Sequence, residues 1–336
     1  MERSFRKAGA FITDRDRGRR IALLSGRGAK GLMMYLFLAG LSFVMLYPVL
    51  FMLSSAFKSI ADVYDPTVIW VPKNFSFQAL DLAVTALDFN NALWRTVQIT
   101  VPSVLLQVAS TLITAYGFAR FRFRGRSLLF GLLLFTMIVP EPTYGMPLFM
   151  NFRNFTWFGL GNFAGLFTGE ALSVNLLNQD ITFYLRAAMG SGIRAGLYIF
   201  IIRQFFVNMP TELEDAAMID GCGPLRTFTR VMVPNVTPAI VTVTMFSLVW
   251  YWNDYHNSVT FFRSSFPLPV SLTMVNSTLS VVGQSPAAGV TSTELWLLRD
   301  PVMACACLLT ILPLLVVYLV AQKFFTESIE RTGIVG

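Results

Sequence analysis

Residues 211–234 form a polar island between long apolar stretches, and the order of their side chains is the most specific chemical feature of the chain. The island opens Thr211-Glu212-Leu213-Glu214-Asp215-Ala216-Ala217-Met218-Ile219-Asp220-Gly221 and closes on Val231-Met232-Val233-Pro234. Pro210 ends the preceding helix, and Thr211 offers its hydroxyl as an N-cap. Glu214, three residues on, completes a capping box. Glu212, Glu214 and Asp215 set negative charge at the positive end of the helix dipole. Gly221 permits the left-handed turn that stops the helix. The spacing predicts a helix of about nine residues, roughly 14 Å long. Taken alone, these features also describe an ordinary capped helix in a loop.

The remaining candidates are dispersed. His256 is the only histidine, and without clustered Cys or His partners it makes no metal site. Gly190-Ser191-Gly192 with a lone histidine is too little for a serine nucleophile. No Gly-x4-Gly-Lys-Ser/Thr phosphate loop is present, so this chain does not hydrolyse ATP itself. Glu141 and Arg194 interrupt otherwise apolar runs. Trp250, Trp252, Asn253 and Asp254, with Tyr251 among them, combine aromatic faces with hydrogen-bonding tips. Such groups suit a sugar, with its apolar C–H faces and hydroxyl edges, and they equally suit an interfacial aromatic belt.

Composition decides which elements must carry these residues. Of 336 residues 54% are hydrophobic and 13% charged, with mean hydropathy +0.59. Soluble domains carry roughly 25% charged residues. Three runs carry no charge and reach the length of about 20 residues needed to span a bilayer: Gly31–Phe57, Thr96–Ala119 and Pro301–Gln322. Val231–Asn253 is a fourth. Ser127–Phe152 contains Glu141, set between Pro140 and Pro142, which with Pro147 are expected to break its outer end, and Ile181–Ile202 contains Arg186 and Arg194. The expected fold is an all-α integral membrane protein of six transmembrane helices, at about 32–56, 95–119, 127–150, 181–204, 236–254 and 301–323.

The first 30 residues hold nine Lys/Arg. A cleavable signal peptide would have an apolar region of about 7–15 residues; here it runs on to Phe57, which favours a retained first helix. Cytoplasmic loops are enriched in Lys/Arg. The N-terminus, the 120–126 turn, the 203–234 loop and the C-terminus together hold 18 of the 26 basic residues. Both termini and the polar island are therefore expected on the cytoplasmic side of the cell membrane. The division is a basic tail at 1–30, a first helix at 31–57, an extracytoplasmic segment at 58–94, a five-helix core at 95–323 with its cytoplasmic loop at 205–234, and a tail at 324–336. Residues 255–300 are expected as a long outward loop. The net charge of +7 follows from this topology; membrane lipid is the nearer partner for the basic tail, and nothing argues for nucleic acid. Cys222, Cys305 and Cys307 imply no disulfide framework.

The pattern Asp-Ala-Ala-x3-Gly-x9-Val-x-Val-Pro, from Asp215 to Pro234, resembles the EAA loop of permease subunits from ATP-binding-cassette (ABC) importers. Asp215 stands where that family usually has Glu. Much of the chain after residue 40 is similar to the carbohydrate-type branch, including the maltose-transporter family. Tyr47-Pro48, Ala115-Tyr116-Gly117-Phe118-Ala119-Arg120, Arg203-Gln204-Phe205-Phe206, Trp252-Asn253-Asp254 and Gln322-Lys323-Phe324-Phe325 carry that similarity; residues 1–30 and 155–180 do not. The resemblance implies the type I importer permease fold, no catalytic residue or cofactor on this chain, and ATP with Mg on a partner ATPase. It implies three partners: a second permease subunit, a cytoplasmic ABC ATPase dimer and an extracytoplasmic solute-binding protein. Glu212, Glu214, Asp215, Ala216, Ala217, Asp220, Gly221 and Pro234 would dock the ATPase. Glu141, Arg194, Trp250, Trp252, Asn253 and Asp254 are candidates for the solute path, and Arg194 is equally compatible with a bracing role between helices. An ion-coupled secondary transporter, which wants several intramembrane carboxylates, and a non-catalytic scaffold, which leaves the loop spacing unexplained, are the alternatives.

Overall fold

The computed structural model of the chain describes residues 30–170, 172–282 and 291–333. The basic tail through residue 29, residues 283–290 of the outward loop and the last three residues lie outside them. The described residues are helical, with only two isolated bridges, Lys58 to Phe75 and Phe155 to Val174.

Helix α1 (Lys30–Ala56) is long and apolar enough to cross a membrane and stays helical through Pro48. Most of its side chains face outward, and contact with the body begins at its end, where the Cys305 thiol donates to the Ala56 carbonyl. The segment after it carries two helices, α2 (Ile60–Tyr64) and α3 (Gln78–Leu87). Buried Asp62 pins it by accepting from the Asn74 backbone and side chain. Lys73, 2.6 Å from Asp65 and aided by Thr67, holds that carboxyl well below the usual range.

Helix α4 (Phe89–Arg120) starts six residues before the expected boundary and forms the axis of the fold. Its buried face reads Thr96, Thr100, Ser103, Gln107, Thr111 and Ala115, mostly small side chains at helical spacing that let neighbours approach closely. Pro102 cannot donate to the Gln98 carbonyl one turn earlier, and the Tyr184 hydroxyl fills that acceptor at 2.6 Å.

Two of the expected spans are interrupted. In place of one helix at 127–150 stand α5 (Arg126–Thr136) and α6 (Glu141–Arg153), bent by 103°. Pro140 and Pro142 end the first and start the second, because proline lacks the donor an interior position needs and suits a first turn. After α7 (Leu160–Thr168), the helix expected at 181–204 divides into α8 (Ile181–Ala188) and α9 (Ala195–Asn208). Between these, Gly190 and Arg194 take left-handed backbone, at φ 67° and 57°. The polar island follows as α10 (Glu212–Ile219), α11 (Pro224–Thr227), a π-turn at Phe228–Met232 and α12 (Val233–Asn235). A bend of 77° leads into α13 (Thr237–Trp252).

Residues 255–300 are not the long irregular loop that their Ser, Thr, Pro and Gly content predicts. They form α14 (His256–Phe261), α15 (Leu268–Val282) and the start of α16 (Ser292–Gly333). Val275 and Leu279 of α15 pack with Ala79, Ala83 and Leu87 of α3 and with Leu298 and Val302 of α16, so tertiary burial overrides the local turn signals. Helix α16 also continues through the stretch expected as a C-terminal tail. Among the described residues three helices are long and apolar enough to span, or five if each bent pair is one span.

The break between α8 and α9 is held from both sides. Gln107 of α4 donates Nε2 to the Ile193 carbonyl at 2.6 Å and accepts from the Tyr251 hydroxyl of α13 at 2.6 Å. The Ser110 hydroxyl donates to the Ala187 carbonyl at 2.6 Å. A Cβ at Gly192 would collide with Gln107 Oε1 and with the Tyr251 hydroxyl, so glycine is required there by close approach. Gln107→Leu keeps the volume while orphaning the Ile193 carbonyl and the Tyr251 hydroxyl. It should lower stability by about 1–3 kcal/mol, read from denaturant unfolding in mixed micelles. An unchanged midpoint would mean that the break is held by other contacts.

Candidate functional site

The polar island folds as a short helix with one face bound and one face bare. Helix α10 has eight residues. Thr211 is in helical conformation (φ −70°, ψ −24°) and its side chain makes no cap bond, so the expected capping box does not form. Glu214 is drawn inward instead, where its Oε1 lies 3.1 Å from Arg120 Nε with both side chains largely buried. Arg120 also donates Nη2 to the Met209 carbonyl at 2.8 Å, and Tyr116 lies against the same carboxylate. One guanidinium therefore joins the end of α4, the end of α9 and the inner face of α10. With Glu214 buried, loss of its partner would leave an uncompensated charge at a cost of about 3–5 kcal/mol, whereas a local cap is worth about 1 kcal/mol.

Ala217 is buried beside Glu214, while Glu212, Asp215, Ala216 and Asp220 are exposed. Leu213, Met218 and Ile219 are exposed as well, Ile219 at 86%. Gly221 stops the helix at φ 80°, with its amide bonded to the Met218 carbonyl and the Cys222 amide to that of Ala217. Pro234 is exposed in α12. The π-turn seats Phe228 against Tyr116, ring centroids 4.8 Å apart, and Met232 in the core with Phe206 and Ile202. The result is a small charged and apolar surface mounted rigidly on the bundle. Sequence reasoning missed Arg120 and Tyr116 as members of this site; the four-arginine turn drew attention only as a topology marker, although a buried carboxylate in α10 demanded a cation.

At the other end, Glu141, Arg186, Arg194 and Asp254 all lie within electrostatic reach of the Tyr144 hydroxyl of α6. Arg194 is not inside a helix, as expected, but at the N-cap of α9, exposed, with its guanidinium 4.4 Å from the Trp250 ring centroid. Three of the candidates are structural. Trp252 is buried and donates Nε1 to the Thr310 carbonyl of α16 at 3.1 Å. Asn253 closes the end of α13 by donating to the Val249 carbonyl. Asp254 is buried and accepts from the Ser258 amide, at 2.9 Å, and from Asn257 Nδ2, at 2.8 Å, capping α14. Arg186, also buried, donates to Asn257 Oδ1. The Asn257 amide thus stands between two opposite buried charges, and its part is invisible in sequence because an asparagine in an outward segment carries no signal. Among the described residues no three His, Cys, Asp or Glu side chains gather as a metal site.

Arg120→Met removes the partner of a buried carboxylate and should destabilise the protein by about 3 kcal/mol. Adding Glu214→Gln should restore a large part of that loss. Thermal melting of the four proteins of this double-mutant cycle measures the coupling, and additive losses would show that the pair is not what holds α10 to the bundle.

Residues 107–331 match the family described as "Binding-protein-dependent transport system inner membrane component". Protein LplC of Bacillus subtilis is 25% identical over 90% of this chain and 93% of its own length. The diacetylchitobiose uptake system permease protein NgcG of Streptomyces coelicolor is 27% identical over 86% and 84%. The melibiose/raffinose/stachyose import permease protein MelC of Bacillus subtilis is 26% identical over 80% and 84%. A chain from the crystal structure of a bacterial ABC transporter that imports the acidic polysaccharide alginate superposes with a TM-score of 0.66 at 22% identity, covering 88% of this chain and 96% of that one. The fold is that of type I ABC importer permeases, and with two thirds of its length matched, the chain belongs to the binding-protein-dependent transport system inner membrane component family.

Proposed function

We propose that this chain is one half of the transmembrane pathway of an ATP-driven importer for a sugar or oligosaccharide, and that α10 is the element through which the pathway is driven. The observation that carries the reading is the mounting of α10: bare Leu213, Met218 and Ile219 outward, Glu214 clamped by Arg120 inward. A helix that only filled a loop would have no reason to hold an apolar face in solvent. The sugar class is supported by the named substrates of the relatives NgcG and MelC. Trp250 beside Arg194 offers an aromatic face next to a strong donor.

In this reading both termini and α10 are cytoplasmic, with six passages of the bilayer counted by taking α5 with α6 and α8 with α9 as broken spans. A second permease subunit completes the pathway, two ATPase chains hold ATP and Mg, and an extracytoplasmic protein delivers the solute. Closure of the ATPase dimer displaces α10. Arg120 passes the displacement to α4 and α9 together, and Gln107 and Tyr251 pass it to the break between α8 and α9. The switch is then between discrete packings. An ion-coupled mechanism is the weaker reading, since Asp254 already caps α14 and Glu141 is left without a second intramembrane carboxylate.

Uptake by the reconstituted complex should require ATP and be blocked by vanadate; uptake driven by an ion gradient and indifferent to vanadate would reject the reading. In the same vesicles Arg194→Met should leave assembly and basal hydrolysis intact and reduce uptake. A lower yield of complex with normal uptake per complex would assign Arg194 to helix bracing. For orientation, Gly125→Cys and Leu225→Cys should be shielded from an impermeant thiol reagent in intact cells, while Asp81→Cys and Ser280→Cys react. Labelling at 225 before permeabilisation would overturn both the topology and the docking role.

A further inference from the structure

Helix α7 and the turn before it form an apolar knob that the rest of the chain leaves uncovered. Trp157, Phe158, Leu160, Phe163, Leu166 and Phe167 are each between 53% and 79% exposed. From Asn154 to Gly169 there is no charged residue, and Arg153 and Glu170 flank the stretch. The knob is not a slack loop. Its stem is closed by the Leu176 amide on the Phe152 carbonyl at 2.9 Å, by paired bonds between Phe155 and Val174 at 3.0 Å, and by the Leu172 amide on the Gly161 carbonyl at 3.2 Å. Buried Phe152, Phe155 and Leu176 root that stem in the core alongside Phe183 and Phe261. A Cβ at Gly161 would overlap the Leu172 backbone, so the two sides of the stem are in close contact. The fold therefore presents these side chains rigidly.

We propose that this knob inserts into the bilayer, at the boundary of headgroups and acyl chains, and so anchors the end of the bent α5–α6 pair in lipid. Three observations select lipid over a protein partner. The helix that precedes the knob in the chain, α6, also exposes apolar side chains, Met146 at 70% and Met150 at 51%, in a chain of a membrane permease family. Nine helical residues reach about 14 Å, too short to cross a hydrocarbon core of about 30 Å. And the knob lacks the polar rim that surrounds a protein interface: between the flanking charges its only polar residues are Asn154, Thr156, Asn162 and Thr168. Trp157 at the base has the amphipathic ring favoured at the membrane–water boundary. Insertion itself depends only on the membrane reading; which leaflet receives the knob rests on the orientation proposed above.

Spin labels test this in the assembled transporter, reconstituted in phosphatidylethanolamine–phosphatidylglycerol vesicles, with Cys222, Cys305 and Cys307 replaced by alanine. Labels at Phe163→Cys and Phe167→Cys should collide with oxygen several-fold more often than with a water-soluble nickel chelate. Their oxygen-to-nickel ratio should fall between that of a label at Val44→Cys, in the middle of α1, and that of one at Asp81→Cys. Preferential access of the nickel chelate would place the knob in water, and access of neither would place it under protein; either outcome overturns the proposal. Leu166→Cys serves if one of the first two fails to assemble. The measurement is blind to sidedness, so a failed orientation, seen by thiol labelling, is distinguishable from failed insertion.

Discussion

A helix that breaks inside a packed apolar interior must find partners for the backbone groups it releases, because each buried group left unsatisfied costs about 1–3 kcal/mol. The arrangement of α4, α9 and α13 follows from that demand at residues 189–194. Gln107 reaches the Ile193 carbonyl, Tyr251 steadies Gln107, and Ser110 takes the Ala187 carbonyl. These bonds require three helices to pass within touching distance, and the small buried residues of α4 together with Gly192 allow it. Satisfying the break therefore fixes the centre of the bundle, and the two ends are built outward from it.

At the α10 end the same economy of partners recurs with charge. Arg120 serves a carboxylate on α10 and a carbonyl at the end of α9 at once, so neither helix can be displaced without the other. At the opposite end Asn257 spaces Arg186 from Asp254. The opposed charges are held apart by an amide instead of collapsing into a pair, and Arg194 is left on the surface against Trp250. The polar groups at that end divide into those consumed in holding short helices and those still able to meet a solute.

The sequence was informative where a signal is local and long. Apolar runs located the three helices long enough to span, the prolines at 140 and 142 marked the α5–α6 break, and Gly221 marked the end of α10. It was uninformative where the deciding partner is distant. Thr211 and Glu214 read as a capping box because nothing nearby reveals Arg120, which lies 94 positions away from Glu214. Arg194 read as a mid-helix cation because a break stabilised by Gln107 of another helix leaves no local trace. Residues 255–300 read as a loop because Ser, Thr and Pro are weighed by their local preference, whereas α15 exists through its burial against α3 and α16. Among the solute-path residues, Trp252, Asn253 and Asp254 looked alike; only packing separates the bracing roles from the open position of Trp250.

The π-turn at Phe228–Met232 sits between the polar island and the helix that returns to the bundle. An α-helix advances about 100° per residue, so one additional residue in a turn rotates everything on one side relative to the other by about that angle. The turn is thus a phase setter: it decides which way α11 faces when α13 shows Val243, Ser247 and Tyr251 to α4 and α9. Loss of a single residue here leaves each helix well formed while turning the exposed face of α10 by a quarter-turn. Chain length in this one turn is then constrained alongside the side chains of Phe228 and Met232 that seat it.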